Sequence, residues 1–232
     1  MTFRFRGVDL IACLSGALVF PALRTLAVAD LHLEKGSRWA RRGRLLPPYD
    51  SRATLTALAE TIGIHAPSRV VCLGDSFDDS SGGARLAKDD VSRLHGLMAG
   101  REWIWVAGNH DPTPSGLGGA HASEVALGPF ILRHSAAPEP ATGEISGHYH
   151  PKASVAVAGR RYSARCFACS DRRLVLPAFG AFTGGLDVFS PALAALLGRD
   201  FRVHLLGPTQ VHAFPAGRLI GAAGTPSPTL GS

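Results

Sequence analysis

The chain is poor in the features that mark several protein classes. Four cysteines in 232 residues, Cys13, Cys72, Cys166 and Cys169, are too sparse for a disulfide-stapled secreted fold. Cys13 and Cys72 sit in apolar runs that read as buried strands, so a reducing, cytoplasmic compartment fits. Cys166-x-x-Cys169 has no second CxxC or adjoining histidine pair to complete a zinc site and no thioredoxin-like context, so it reads as structural. No apolar run reaches the ~20 residues needed to cross a bilayer. Leu10 to Phe20 behind Arg4 and Arg6, with Ala27-Val28-Ala29 beyond, has the outline of a secretory leader. Asp9 and Arg24 break that outline, and cleavage after Ala29 would remove the strand that delivers Asp30. Charged residues are also scarce, 18% against 46% apolar, which excludes a disordered chain. There is no internal repeat or coiled-coil pattern, which excludes solenoids.

What is present points to a folded domain with many tight loops, supplied by 27 glycines and 16 prolines. The length suits one domain with a sizeable core, expected over residues 1–220, followed by a flexible Gly/Pro/Ser/Thr-rich tail at 221–232. The formal charge of +6 favours an anionic partner such as nucleic acid, nucleotides or an acidic surface.

Along the chain, residues 8–30 read as strands broken by Gly16 and Pro21, ending in Thr25-Leu26-Ala27-Val28-Ala29. Residues 35–52 form a basic loop interrupted by Pro47-Pro48, with Trp39 and Tyr49 interleaved. The apolar spacing predicts a helix from Ser51 to Ile62, ending at Gly63, and another around residues 86–98. Between and after them lie the strands Arg69 to Leu73 and Trp103 to Val106. This βαβαβ rhythm implies parallel strands with right-handed crossovers. From residue 130 the pattern is strand-rich: Phe130 to Leu132, Ser154 to Val157, Tyr162 to Ala168, Arg173 to Leu176 and Phe201 to Leu205, a second sheet packing on the first.

Metal-ligand residue types recur at the strand ends. Asp30-x-His32 follows the first buried run, Asp75 follows Leu73-Gly74, and Asn109 follows Val106-Ala107-Gly108. Open α/β sheets bind ligands at the carboxyl ends of their strands, and a glycine there lets the backbone approach closely. In an extended segment residues i and i+2 face the same way, so Asp30 with His32, and His148 with His150, can each share an ion. Each pair alone is a weak signal. The remaining histidines, His65, His95, His121, His204 and His212, lack such a setting and read as surface or structural residues.

The set Asp30-x-His32, Gly74-Asp75-x-x-Asp78, Gly108-Asn109-His110-Asp111, His134 and Gly147-His148-x-His150 resembles the calcineurin-like metallophosphoesterases. That resemblance implies an α/β fold, a four-layer αββα sandwich of two mixed sheets flanked by helices. It implies two divalent metals, manganese first with iron or zinc as alternatives, one held by Asp30, His32, Asp75 and His150 and the other by Asp75, Asn109, His134 and His148. A bridging hydroxide would attack phosphorus, and His110 would stabilise the transition state or protonate the leaving oxygen, with Asp111 as an orienting catalytic partner. His134, isolated in sequence, is assigned by the resemblance alone.

Within that superfamily, Ala29-Asp30-Leu31-His32-Leu33-Glu34-Lys35-Gly36, Leu73-Gly74-Asp75-Ser76-Phe77 and Leu176 to Gly185 are similar to the PdeM-type, ligase-associated DNA damage response group, a likeness running from about residue 10 to 215. It implies a DNA endonuclease associated with a DNA ligase, an exonuclease and a helicase. The group often has a histidine where Asp78 stands, followed by an acid like Asp79, so either residue can be the acid behind the metal ligands. Lys35, Arg38, Arg41 and Arg42 are candidate substrate-binding residues on one side of the centre, and Lys152, Arg160, Arg161, Arg165, Arg172 and Arg173 follow its last motif. The same centre would also serve a small-molecule or nucleotide phosphoesterase, and a vestigial one would leave a non-catalytic repair scaffold.

Overall fold

In the run Thr25 to Val28 every residue is buried, as a strand covered on both faces demands. The computed structural model describes residues 1–44, 49–113, 115–139 and 143–221; the predicted tail beyond residue 221 and Pro47-Pro48 lie outside them. The first sheet is built in chain order from β1 (Thr2–Phe5), β2 (Val8–Ala12), β3 (Leu18–Phe20), β4 (Thr25–Val28), β5 (Arg69–Leu73), β6 (Glu102–Val106) and β7 (Ala120–Ala122). The first four strands are antiparallel neighbours, and β4 to β7 run parallel. Between β4 and β5 come the short α1 (Lys35–Ala40) and the long α2 (Asp50–His65); between β5 and β6 come α3 (Gly82–Arg85) and α4 (Lys88–Met98).

The second sheet holds β8 (Glu124–Leu127), β9 (Phe130–Arg133), β10 (Glu144–Ser146), β11 (Pro151–Val157), β12 (Arg160–Cys169), β13 (Arg173–Val175) and β14 (Leu186–Asp187). Their spatial order is β14-β11-β12-β13-β10-β9-β8. After α5 (Pro191–Leu197), β15 (Arg202–Leu206) pairs with β12 and carries β16 (Val211–Pro215) on its other side. The two sheets face each other across a core that includes Leu18, Phe20, Val71, Phe130, Leu132, Phe167 and Leu176. Leu55, Leu58 and Leu94 of α2 and α4 cover the outer face of the first sheet, and Leu193 and Leu197 of α5 cover that of the second. The expected sandwich of two mixed sheets with flanking helices is therefore the fold observed.

Details differ. The helix predicted to end at Gly63 runs to His65 and stops at Ala66, whose left-handed backbone (φ 40°) returns its N–H to the Ile62 carbonyl before Pro67. Half of the basic loop is helical: α1 is tied to the start of α2, the Gly36 N–H donating to Asp50 Oδ2 at 3.0 Å and the Glu34 N–H to Ser51 Oγ at 2.8 Å. No helix among the described residues is long and apolar enough to cross a membrane.

Candidate metal centre

The candidate ligands leave the carboxyl ends of five strands. Asp30 and His32 follow β4, Asp75 follows β5, Asn109 follows β6, His134 follows β9, and His148 and His150 follow β10. The two sheets meet at this edge through the segment after β13: Ala178 bridges Ala29, and Phe179 and Gly180 donate to the Ala29 and Asp30 carbonyls at 2.8 and 3.1 Å.

The local backbone is unlike the extended form expected for Asp30-x-His32 and His148-x-His150. Asp30 (φ 55°), His32 (φ 44°), Asp75 (φ 46°), His148 (φ 68°) and His150 (φ 46°) all adopt the left-handed region, which non-glycine residues rarely enter. Convergence thus comes from sharp turns rather than from the pleat of a strand. Gly108 completes the frame, because a Cβ there would fall 2.1 Å from the Asp75 nitrogen.

All seven candidate ligands come together in two adjoining groups. In the first, His32 Nε2 lies 3.4 Å from His150 Nε2, and His150 Nε2 is 3.4 Å from Asp30 Oδ1. In the second, His134 Nε2 lies 2.8 Å from Asn109 Oδ1, 3.1 Å from His148 Nδ1 and 3.4 Å from Asp75 Oδ2. Asp30 Oδ1, 3.7 Å from His134 Nδ1, joins the groups.

This donor set suits divalent cations. His134 Nδ1–H donates to the Leu73 carbonyl at 2.9 Å, which leaves the Nε2 lone pair facing a carboxylate, an amide oxygen and a second imidazole. Asp30 Oδ1, in a residue with no exposed surface, accepts no hydrogen bond. A fully buried carboxylate oxygen with no donor is unfavourable unless a cation takes the donor's place. The mixture of carboxylate, amide and imidazole fits manganese, iron or zinc.

Around this cluster the other expected residues have distinct fates. His110 is half-buried with Nε2 3.9 Å from Asp75 Oδ2; its Nδ1–H donates to the Asp78 carbonyl at 2.8 Å, and its backbone N–H donates to Asp75 Oδ1 at 2.8 Å. Asp111 does not pair with His110: its Oδ2 accepts the Phe77 N–H at 3.0 Å, so it shapes the loop after Asp75. Burial pushes the Asp111 carboxyl up to about 6. Asp78 lies behind His32, its Oδ1 3.0 Å from Nδ1 though without the alignment of a straight hydrogen bond, whereas Asp79 pairs with Arg85 at 2.8 Å. The acid behind the ligands is therefore Asp78.

Arg38 reaches the centre, but Lys35 is only half-buried on α1 and Arg41 and Arg42 stand exposed past its end. Among the cations after the last motif, Arg173 is buried against Glu144 at 3.2 Å and Arg165 donates to the Ala178 carbonyl at 2.6 Å. These two hold the fold together instead of facing a ligand. Sequence reasoning missed the contact between Arg38 and Asp78, which links residues far apart in the chain and carries no periodic signal.

Among solved structures, a Pseudomonas putida nuclease MPE is 28% identical, with a TM-score of 0.70 over 93% of this chain and 98% of that one. The phosphoesterase Yfce from E. coli is 15% identical with a TM-score of 0.41, over 82% of this chain and 97% of that one. No curated protein matches the sequence. The calcineurin-like phosphoesterase profile matches residues 23–168, more than half of the chain and every ligand described above. Strand-end histidines and carboxylates set for a dinuclear metal centre are thus what that shared sequence encodes, and the chain belongs to the calcineurin-like phosphoesterases, hydrolases acting on phosphate ester bonds.

Proposed function

We propose that the chain is a metal-dependent phosphodiesterase that cuts DNA as an endonuclease in the damage response. The observation that carries the reading is the pair of adjoining ligand groups, Asp30 with His32 and His150, and Asp75 with His134 and His148, faced by His110 on the Asp75 side. The 28% identical neighbour titled a nuclease supports the choice of a nucleic-acid diester. The net charge of +6 favours a polyanionic substrate.

In this reading Asp30, His32, Asp75 and His150 hold one ion, and Asp75, Asn109, His134 and His148 hold the other, manganese being the first choice. When bound, two such ions neutralise phosphate charge and lower the pKa of water enough to make it a nucleophile at neutral pH. The chain's own residues do the rest. His110 has Nδ1 committed to the Asp78 carbonyl, so Nε2 is the atom available to give a proton to the leaving oxygen. Leu73 and Asp78 fix His134 and His32 from behind, which keeps their ligand nitrogens aimed inward. Lys35, half-buried on α1, and Arg41 and Arg42, exposed past its end, supply positive charge for the phosphate backbone. The fold acts as one domain over residues 1–220, in the cytoplasm, together with a DNA ligase, an exonuclease and a helicase.

The deciding experiment is a cleavage panel of single-stranded DNA, duplex DNA, nucleotides and phosphomonoesters with manganese-loaded protein, comparing wild type with His110→Ala. DNA cleavage that falls at least about a hundredfold in His110→Ala is expected. Hydrolysis of phosphomonoesters alone would sink the nuclease reading and leave a small-molecule phosphoesterase.

A further inference from the structure

Arg38 sits where a substrate-binding cation was expected, yet its guanidinium is turned inward. A single nitrogen, Nη1, lies 2.7 Å from the Asp78 carbonyl, 2.9 Å from Asp78 Oδ2 and 3.2 Å from His110 Nδ1. The Asp78 carboxylate, 3% exposed, presents its other oxygen to His32 Nδ1 at 3.0 Å, and the Asp78 carbonyl also accepts from His110 Nδ1 at 2.8 Å. The anchor is rigid as well, since α1 is bonded to the start of α2 through Asp50 and Ser51.

A carboxylate buried beside a single imidazole is costly, and a guanidinium supplies both the countercharge and the donors that hold it in one rotamer. With Oδ2 taken by Arg38, Oδ1 is left for His32, whose Nδ1 then faces the carboxylate while Nε2 faces His150. The same arginine nitrogen pins the carbonyl that orients His110.

We infer that Arg38 is a positioning residue acting through Asp78, a clamp that orients a metal ligand, His32, and the proton donor, His110, at the same time. This rests on the metallophosphodiesterase reading above. It predicts an effect on turnover and metal retention, whereas an arginine that grips substrate phosphate would act on KM.

The test uses the full chain with Arg38→Gln, Arg38→Lys and Asp78→Asn, checked for folding by circular dichroism. kcat and KM are measured on bis(p-nitrophenyl) phosphate, and manganese per chain is measured after dialysis, without substrate. Loss of a partner behind a ligand lowers activity or metal affinity about 10–100-fold. Arg38→Gln and Asp78→Asn should lower kcat by that range with KM changed less than about threefold, and both should retain less manganese. Because every contact comes from one nitrogen, the lysine ammonium should restore most of kcat. A raised KM with intact kcat in Arg38→Gln, unchanged kinetics, or no rescue by lysine overturns the clamp. If the wild type keeps manganese but hydrolyses no phosphoester, the functional reading fails, while lower retention in Arg38→Gln still upholds the clamp.

Discussion

Gly108 is in contact with Asp75 so closely that a methyl group on it would lie 2.1 Å from the Asp75 nitrogen and 2.3 Å from its Oδ1. Both atoms belong to a candidate metal ligand; one is backbone, and the other is a carboxylate oxygen held by the His110 N–H at 2.8 Å. Gly108→Ala should therefore move the Asp75 backbone and carboxylate together. We expect activity on a diester reporter to drop by at least about a hundredfold, as a misplacement near 1 Å can produce, with less than the full metal complement bound. Wild-type kcat in this variant would show that Asp75 need not sit where it does.

Metal removal should be visible in stability as well as activity. The centre buries Asp30 at 0% and His32 at 4% exposure, and their converging lone pairs repel in the apo protein. A ligand at a hundredfold excess over its Kd stabilises by about 2.7 kcal/mol. For a chain of this size that corresponds to a Tm shift of roughly 5–10 °C. Thermal unfolding with and without chelator measures it, and manganese added back should restore both Tm and turnover.

A pH effect should arise far from the centre. His204 on β15 is 1% exposed, packs against Phe3 with ring centroids 4.2 Å apart, and has no hydrogen-bond partner for either ring nitrogen among the described residues. Burial, with Arg202 and the N-terminus nearby, pushes its pKa down from 6.5 to about 4. Between those values the unfolded chain binds the proton and the folded one does not, so stability falls as pH drops from 6.5 to 4 and this group adds no further slope outside the window. The span is worth roughly 3 kcal/mol. The raised Asp111 carboxyl titrates in the same window with the opposite sign, so the His204 contribution is read from the difference: in urea unfolding from pH 4 to 7.5, the stability of His204→Phe relative to wild type should rise as pH falls from 6.5 to 4.

Between the sheets, Phe130 stacks on Phe5 at 5.6 Å and tilts against Phe20 at 5.7 Å, with 1% exposure. Truncation to alanine removes aromatic burial and leaves a cavity, a loss of about 3–5 kcal/mol. Phe130→Ala should lower the unfolding free energy measured in urea by that amount while the folded fraction keeps its specific activity.

Much of the centre was legible in the sequence because Asp30, Asp75 and Asn109 each follow an apolar run that can only be a buried strand. The same rule reaches His134, which follows Phe130-Ile131-Leu132 by two residues and lies at the end of β9; its assignment did not need the resemblance. What stayed hidden depended on tertiary contact. Arg38 and Asp78 are 40 residues apart, and nothing local marks them as partners. The left-handed turns at His32 and His150 were invisible because glycine, their usual sign, is absent there. The edge strand β1 escaped notice because it is only four residues long, although Thr2-Phe3-Arg4-Phe5 does alternate.

Those turns have a consequence for how the protein can change. A left-handed backbone costs most non-glycine residues roughly 1–2 kcal/mol, less for aspartate, and the residues that adopt it here include Asp30, His32, Asp75, His148 and His150, side chains that would grip the ions. Replacing any of them with glycine relaxes the chain at the moment it disables the centre. Backbone comfort and metal binding therefore pull in opposite directions at these positions, and a glycine variant should unfold later while holding less metal.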